Sequence, residues 1–214
     1  MNLSSKKEQV YEKLRAQIID CTLQPGMPIN EAEFANRYGV SKTPVREAIR
    51  QLEKERLVDS IPGRGSIISF ISSEDIYEIF EIREIIECGA ASQAAKLKNK
   101  EKLELMKQEI QSLQSSLKGD EVDLRDGEIC NNIHLEIIDC VGNKRLSRMY
   151  REILDAIERI RNNFGHRISG RRLEHIFSEH LEILDAVLSG DQEAAQKKVR
   201  EHLKNASIYI NRLT

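Results

Sequence analysis

All four prolines of the chain lie in its first 62 residues, at Pro25, Pro28, Pro44 and Pro62. From residue 63 onward no proline interrupts a stretch rich in Leu, Ile, Glu, Lys and Ala, most of which have high helix propensity. Proline disrupts a helix interior, so its absence over this stretch permits long helices. The sequence predicts a mainly α protein with two domains, residues 1–72 and an antiparallel all-helical bundle over residues 73–214.

Three short helices are predicted in residues 1–72. Apolar residues at helical spacing predict the first over about residues 6–20, and the breaker-rich segment LQPGMPI ends it. The second is predicted over about residues 30–38, with Asn30 as N-cap and Gly39 as the stop. The third is predicted to have Thr43 as its cap and Pro44 in its first position. Its buried stripe comprises Val45, Ala48, Ile49 and Leu52. The last two helices form a helix-turn-helix.

A β-hairpin is predicted directly after the third helix. The β-branched runs LVDSI and SIISFI flank Pro62-Gly63-Arg64-Gly65, a turn sequence. A hairpin in this position is the wing of a winged helix-turn-helix. The six bundle helices are expected over about residues 73–97, 100–118, 121–140, 144–163, 168–189 and 191–212.

The third helix presents a basic face opposite its apolar stripe. Arg46 and Arg50 lie one turn apart on that face, and Lys42 and Thr43 lie at the N-terminal end, which enters the major groove in this motif. Long cations can donate to guanine O6 and N7. We therefore predict DNA contacts by Lys42, Thr43, Arg46 and Arg50 and, in the wing, by Gly63 and Arg64. The alternative is a solvated face on which Glu47 and Glu53 pair with the arginines.

Charge and cysteine content exclude some classes of protein. The formal net charge of −2 argues against a nonspecific polycation, although residues 1–72 carry 11 Lys and Arg against 9 Asp and Glu. Four cysteines without close pairing do not form a disulfide framework. No apolar run approaches the roughly 20 residues of a membrane span, and the N-terminus lacks a signal peptide's apolar core. We expect a cytoplasmic protein that does not enter a membrane.

Three histidines lie at or beside the inner stripes of three different bundle helices. His134, His180 and His202 could therefore converge on a cation, since neutral imidazole is the commonest metal ligand. The alternative for any one of them is a hydrogen-bonded core histidine. His166 and His175 lie in or near an Arg-rich connection and are expected at the surface.

Arg83 lies in FEIREIIE among apolar neighbours and needs an anionic partner there. That partner is either a carboxylate of the protein, such as Glu87, or the carboxylate of a bound effector.

The stretch INEAEFANRYGVSKTPVREAIRQLEKERLVDSIPGRGSII, with LQPGMPI before it, resembles the winged helix-turn-helix of GntR-type transcription regulators. FEIREIIE, IHLEIIDCVGNKRL and SEHLEILDAVLSGDQEAAQKKVREHL resemble the helical effector domain of their FadR-like subgroup, the FCD domain. The resemblance implies a homodimer on a palindromic operator, DNA contacts at Lys42, Thr43, Arg46 and the wing, and control by a small metabolite, often a carboxylate, with Arg83 as its clamp.

The resemblance also implies a metal in the bundle, held by an aspartate and the three histidines. The aspartate position holds Cys130, one turn before His134 and on the same helix face. A thiolate favours zinc over harder ions, so Cys130, His134, His180 and His202 are the predicted ligands. Asp126, two turns from His134, cannot easily substitute. The alternative is a plain buried thiol beside a metal-free pocket.

The leading hypothesis is a ligand-responsive transcription regulator, a repressor, rather than an enzyme. One alternative is a metal-dependent hydrolase fused to a DNA-binding head. It is disfavoured because four protein ligands would close the zinc and no HExxH-like motif supplies a base. The other alternative is an architectural DNA-binding protein with a purely structural bundle.

Overall fold

The computed structural model describes residues 5–63, 65–116, 124–165 and 169–213, with side chains except at residues 124–131 and 165. The chain divides into two compact units, which are Met1–Ser72 with Asp155–Asn163, and Ser73–Leu154 with Phe164–Thr214. The first carries a winged helix-turn-helix and the second is helical throughout its described part, which confirms the predicted mainly α fold class.

The first unit contains three helices and a small antiparallel sheet. The helices are α1 (Lys6–Ile19), α2 (Glu31–Tyr38) and α3 (Lys42–Lys54). The strands are β1 (Pro28–Ile29), β2 (Val58–Ile61) and β3 (Gly65–Ile68), in the order β1-β3-β2. The predicted wing hairpin is therefore present, with Val58 opposite Ile68. The added strand β1 was not predicted because Pro28 is a strand breaker, but at a sheet edge its missing N–H costs no ladder hydrogen bond.

The cap predictions hold for α2 and fail for α3. The Asn30 side chain accepts hydrogen bonds from the backbone N–H groups of Ala32 and Glu33, and Gly39 ends α2 with a φ of 65°. Helix α3 begins at Lys42 after an N-cap at Ser41, so Thr43 is not the cap and Pro44 is the third helical residue. Proline is tolerated there because N–H groups in the first helical turn have no intrahelical acceptor.

The core of the first unit lies between the three helices and the sheet. Its buried apolar residues are Val10, Leu14, Ile18, Leu23, Ile29, Phe34, Ala35, Val45, Ala48, Ile49, Leu52, Val58 and Ile68. The four residues of the predicted α3 stripe are all among them, which leaves the opposite face of α3 in contact with solvent.

The second unit is built from long helices. They are α4 (Ser73–Ala95), α5 (Glu101–Ser116), α6 (Leu124–Cys140), α7 (Lys144–Gly165), α8 (Gly170–Ser189) and α9 (Gln192–Asn211). Residues Asp155–Asn163 of α7 are the part of this helix that belongs to the first unit. Helix α4 packs mainly on α9 and also on α6 and α8, while α5 packs on α6 and α8. Their bounds differ from the predicted ones by a few residues. No helix in the described ranges is both long and apolar enough to cross a bilayer.

Candidate nucleic-acid interface and metal centre

The four residues predicted to contact DNA from α3 are all exposed on one face of that helix. Lys42 and Thr43 lie in its first turn, and Arg46 and Arg50 follow one and two turns later. Three cations and a hydroxyl thus extend from the N-terminal end, where a recognition helix reads base edges.

Arg46 is held by an acidic residue of the neighbouring helix. Its Nε donates to Glu31 Oε1 at 2.9 Å and its Nη2 donates to Glu31 Oε2 at 2.8 Å, a bidentate pair. Hydrogen bonding to Arg46, with smaller contributions from nearby Lys42 and Arg50, lowers the pKa of the Glu31 carboxyl. The partner of Arg46 is therefore Glu31 of α2 and not Glu47 or Glu53, and Glu53 instead accepts a hydrogen bond from Ser60.

The described part of the wing turn is open. Gly63 is exposed with a φ of 77°, and a Cβ built at this position would meet no atom within 4 Å. The positive φ explains why glycine suits this position. Arg64, the predicted wing contact, lies outside the described residues.

The structure brings His134 of α6, His180 of α8 and His202 of α9 together inside the second unit. All three are buried, and one ring nitrogen from each lies within 4.8 Å of the other two. The Nε2 atoms of His180 and His202 are 3.3 Å apart. The predicted convergence of these three histidines is therefore present.

The α8–α9 turn explains how two of the histidines meet. Gly190 ends α8 with a φ of 85°, and the Asp191 side chain caps α9 by accepting a hydrogen bond from the Ala194 N–H. His180 lies nine residues before the end of α8, and His202 ten residues after the start of α9. At the helical rise per residue, each lies about 14 Å from the turn, so the two rings reach the same level.

One pair of ring nitrogens in the cluster has the spacing of two ligands of a metal ion. Ligands about 2.0–2.1 Å from a tetrahedral zinc lie about 3.3 Å from one another, which matches the Nε2 separation of His180 and His202. Three neutral imidazoles suit zinc and leave a fourth position for another ligand. Cys130 belongs to α6, but its side chain, like that of Asp126, lies outside the described residues.

Two carboxylates lie against the histidine rings. Glu179 Oε2 lies 2.8 Å from His202 Nδ1, in hydrogen-bond geometry. Glu87 Oε2 lies 2.7 Å from His134 Nδ1, close enough for an ion pair, although the two atoms do not meet hydrogen-bond geometry. Each of these two rings therefore has Nδ1 directed at a carboxylate.

Burial sets the charge state of this region. Desolvation lowers the pKa of His202 to about 4, although the hydrogen bond with Glu179 acts in the opposite direction. Burial alone would raise the pKa of Glu87, but the nearby Arg83 guanidinium and His134 hold it well below its usual range. His202 is thus neutral near pH 7, which is the form that binds a metal.

Arg83 has a protein partner. Its Nε donates to Glu87 Oε1 at 2.6 Å, and the Tyr150 hydroxyl donates to the same oxygen at 2.7 Å. The ion pair with Glu87, one of the two sequence interpretations, is therefore present in the structure. Binding of an effector carboxylate by Arg83 stays a prediction. Through Glu87, its guanidinium is connected to His134 and so lies near the histidine cluster.

The remaining two histidines lie apart from the described cluster. His175 is exposed on α8, as expected. His166 lies outside the described residues.

Sequence reasoning did not identify Glu31, Glu179 or Tyr150 as site residues. Glu179 directly precedes His180, yet its contact is with His202, which is 23 residues away in sequence. Tyr150 reaches Glu87 across 63 residues. No periodicity links such pairs, so only the folded arrangement of the helices reveals them.

Comparison with known proteins gives two family matches that cover most of the chain. Residues 6–68 match the gntR family of bacterial regulatory proteins, and residues 78–205 match the FCD domain. The first match contains the basic face of α3 and the wing. The second contains Arg83, Glu87, Glu179 and all three clustered histidines.

Individual proteins agree with these matches. The chain is 29% identical over 199 residues to the HTH-type transcriptional regulator YdhC of Bacillus subtilis, covering 92% of this chain and 87% of that protein. It is 28% identical over 207 residues to the HTH-type transcriptional repressor RspR of Escherichia coli, covering 96% and 89%. The solved structure of E. coli McbR/YncC has the same fold, with a TM-score of 0.75, 20% identity and 99% coverage of both chains.

These relatives are transcriptional regulators, so the fused-hydrolase alternative is set aside. Because the two family models together span both the helix α3 with its basic face and the histidine cluster, the chain belongs to the GntR family of transcriptional regulators, in the group that carries an FCD domain.

Proposed function

We propose that the protein is a ligand-responsive repressor that binds a palindromic operator as a homodimer and is controlled by a small carboxylate through a zinc-containing FCD domain. The observation that carries the effector half of this proposal is the buried cluster of His134, His180 and His202. Because the target is chromosomal DNA, the proposed site of action is the bacterial cytoplasm.

The proposed DNA contacts are made by Lys42, Thr43, Arg46 and Arg50 of α3 and by Gly63 and Arg64 of the wing. The exposure of the four α3 side chains supports this assignment. Arg46→Ala is expected to weaken operator binding by about 1–3 kcal/mol, or roughly 5- to 150-fold, because a bidentate guanine contact is lost. Fluorescence anisotropy with an operator selected from random DNA measures this loss.

Lys54→Ala is the matched control, because it removes the same charge from the exposed C-terminal end of α3, two turns beyond Arg46. It should change operator affinity much less than Arg46→Ala does. Equal operator affinities for Arg46→Ala and the unsubstituted protein would rule out Arg46 as a base contact.

A repressor that binds as a homodimer fits the size of the DNA-binding unit. One recognition helix reads only a few base pairs, and two-fold symmetry of a dimer matches the symmetry of a palindrome. Similarity to RspR, which is named as a repressor, supports repression. Light scattering should give a dimer mass for the free protein, and titration should give two chains per operator.

The proposed metal ligands are His134, His180, His202 and Cys130, with zinc as the ion. The Nε2 separation supports a tetrahedral ion, and a thiolate would add the soft ligand that zinc accepts. We expect about one zinc per chain in protein purified without a histidine tag, measured by elemental analysis. His180→Ala should lose most of this zinc.

The matched control for the zinc assignment is His175→Ala, which removes an exposed imidazole from the same helix. It should keep a full zinc content. If His180→Ala retains as much zinc as His175→Ala, the metal is not bound at the cluster. A Cys130→Ser variant tests the thiolate separately, and it should bind zinc more weakly than the unsubstituted protein.

The proposed effector is a small carboxylate that binds at or near the metal. Arg83 is the residue proposed to bind the effector carboxylate, because it lies near the cluster through Glu87, which lies against His134. An effector carboxylate at Arg83 would have to compete with Glu87 for the guanidinium. Effector binding would favour one arrangement of the dimer and so change its affinity for the operator. An architectural DNA-binding protein, in contrast, would bind DNA equally with and without a metabolite.

A further inference from the structure

We propose that Glu179 and Glu87 are positioning residues of the metal centre, each holding the Nδ1 side of one histidine so that Nε2 is the ligand atom. This inference rests on the proposed metal site and concerns the residues that orient its histidine ligands. Neither carboxylate belongs to the cluster whose ligand atoms lie within 4.8 Å of one another, which consists of the three histidines alone among the described residues.

The contact between Glu179 and His202 carries most of the argument. Glu179 Oε2 lies 2.8 Å from His202 Nδ1, and the opposite ring nitrogen of His202 faces His180 Nε2 at 3.3 Å. A carboxylate on one nitrogen selects the tautomer that has its lone pair on the other. His202 is therefore oriented toward the centre of the cluster before any metal arrives.

Glu179 is itself held in place from the side away from the cluster. Its Oε1 accepts a hydrogen bond from Asn205 Nδ2 at 2.9 Å and lies 3.3 Å from Arg172 Nη1. Arg172 in turn lies over the ring of Tyr209, with its Cζ 5.3 Å from the ring centre. One carboxylate oxygen is thus tied to α8 and α9, which leaves the second for the imidazole.

Glu87 lies beside His134 as Glu179 lies beside His202, and it is also bound by Arg83 and Tyr150. Its Oε2 faces His134 Nδ1, while its Oε1 accepts hydrogen bonds from Arg83 and Tyr150. Each carboxylate therefore has one oxygen beside an imidazole and the other anchored by the protein, but only Glu179 meets hydrogen-bond geometry with its imidazole. Removing Glu87 would leave Arg83 buried without this anion, so Glu179 is the better position to test.

The experiment measures zinc affinity directly, by competition with a chromophoric chelator, for the metal-free full-length protein and its variants. Glu179→Ala is expected to bind zinc 10- to 100-fold more weakly, as is usual when a carboxylate behind a metal-bound histidine is removed. Glu179→Gln should lose less, because the amide oxygen can still accept the Nδ1 hydrogen bond. Glu174→Ala, an exposed substitution on the same helix, should bind zinc normally.

A spectroscopic readout separates positioning from loss of fold. Cobalt bound to Glu179→Ala should give a visible absorption spectrum that differs in intensity and position from the unsubstituted protein, since the imidazole is no longer oriented. Circular dichroism of the metal-free variants tests the fold, and Glu179→Gln provides the affinity comparison if Glu179→Ala does not fold. Unchanged zinc affinity in folded Glu179→Ala, or in Glu179→Gln if only that variant folds, overturns the positioning role. No zinc binding by the unsubstituted protein overturns the proposed metal site itself.

Discussion

The bidentate pair of Arg46 and Glu31 lies on the face of α3 that is proposed to contact DNA. A long arginine side chain has many rotamers, and the carboxylate of Glu31 holds it in one of them. A DNA base that binds Arg46 must then either displace the Glu31 carboxylate from the guanidinium or bind the guanidinium in the orientation in which Glu31 holds it. The same pair also contributes to the stability of the first unit, and this contribution depends on pH.

We expect Glu31→Gln to lower thermal stability slightly at pH 7, by at most about 1 kcal/mol, because the pair is at the surface. The folded state lowers the Glu31 pKa. The stabilisation is therefore complete above the ordinary carboxyl pKa and is lost as pH falls through the lowered one. Thermal melts across pH at low salt should show the difference between the two proteins shrinking in acid. A difference that stays constant down to pH 3 would contradict this account.

At the scale of elements, the helices were predictable and their mutual contacts were not. Helix α3 followed from a buried stripe of four residues, and α2 from its Asn30 cap and Gly39 stop. The predicted start of α3 was wrong because Thr43 and Pro44 also fit a helix that begins two residues later, with Thr43 as the N-cap. Helical periodicity was enough to predict that the three histidines lie on inner helix faces. The contacts of Glu179 with His202 and of Tyr150 with Glu87 depend on how the helices pack against one another, which periodicity does not give.

Substitution of Gly190 tests the role of the α8–α9 turn in stability and in zinc binding. Gly190→Ala should destabilise the metal-free protein by about 1 kcal/mol or more, because alanine is strained at a φ of 85°. It should also weaken zinc binding, since this turn sets His180 level with His202. Thermal melts and zinc titration measure the two effects.

The comparison for Gly190→Ala is Gly89→Ala in the exposed face of α4. Gly89 is helical and a Cβ there would meet no atom within 4 Å, so alanine should stabilise by up to about 1 kcal/mol. The two substitutions are therefore expected to change the free energy of unfolding in opposite directions. Two substitutions with the same sign would contradict the assigned role of the turn.

At the scale of the whole molecule, one chain joins a DNA-reading unit to a helical unit with a buried polar centre. The GntR and FCD matches give the class of protein, and the basic face of α3 is the surface proposed to contact DNA. The proposed regulation requires that the centre formed by His134, His180 and His202 changes operator affinity. That requirement separates a ligand-responsive regulator from a protein that only binds DNA.

The most direct test measures operator affinity for the zinc-loaded protein with and without each of a panel of small carboxylates. The account predicts that at least one carboxylate weakens operator binding by tenfold or more. The same compound should have little effect on His180→Ala and its full effect on His175→Ala. If no carboxylate changes operator affinity, or if the change persists in His180→Ala, the histidine cluster is not the centre through which this protein is controlled.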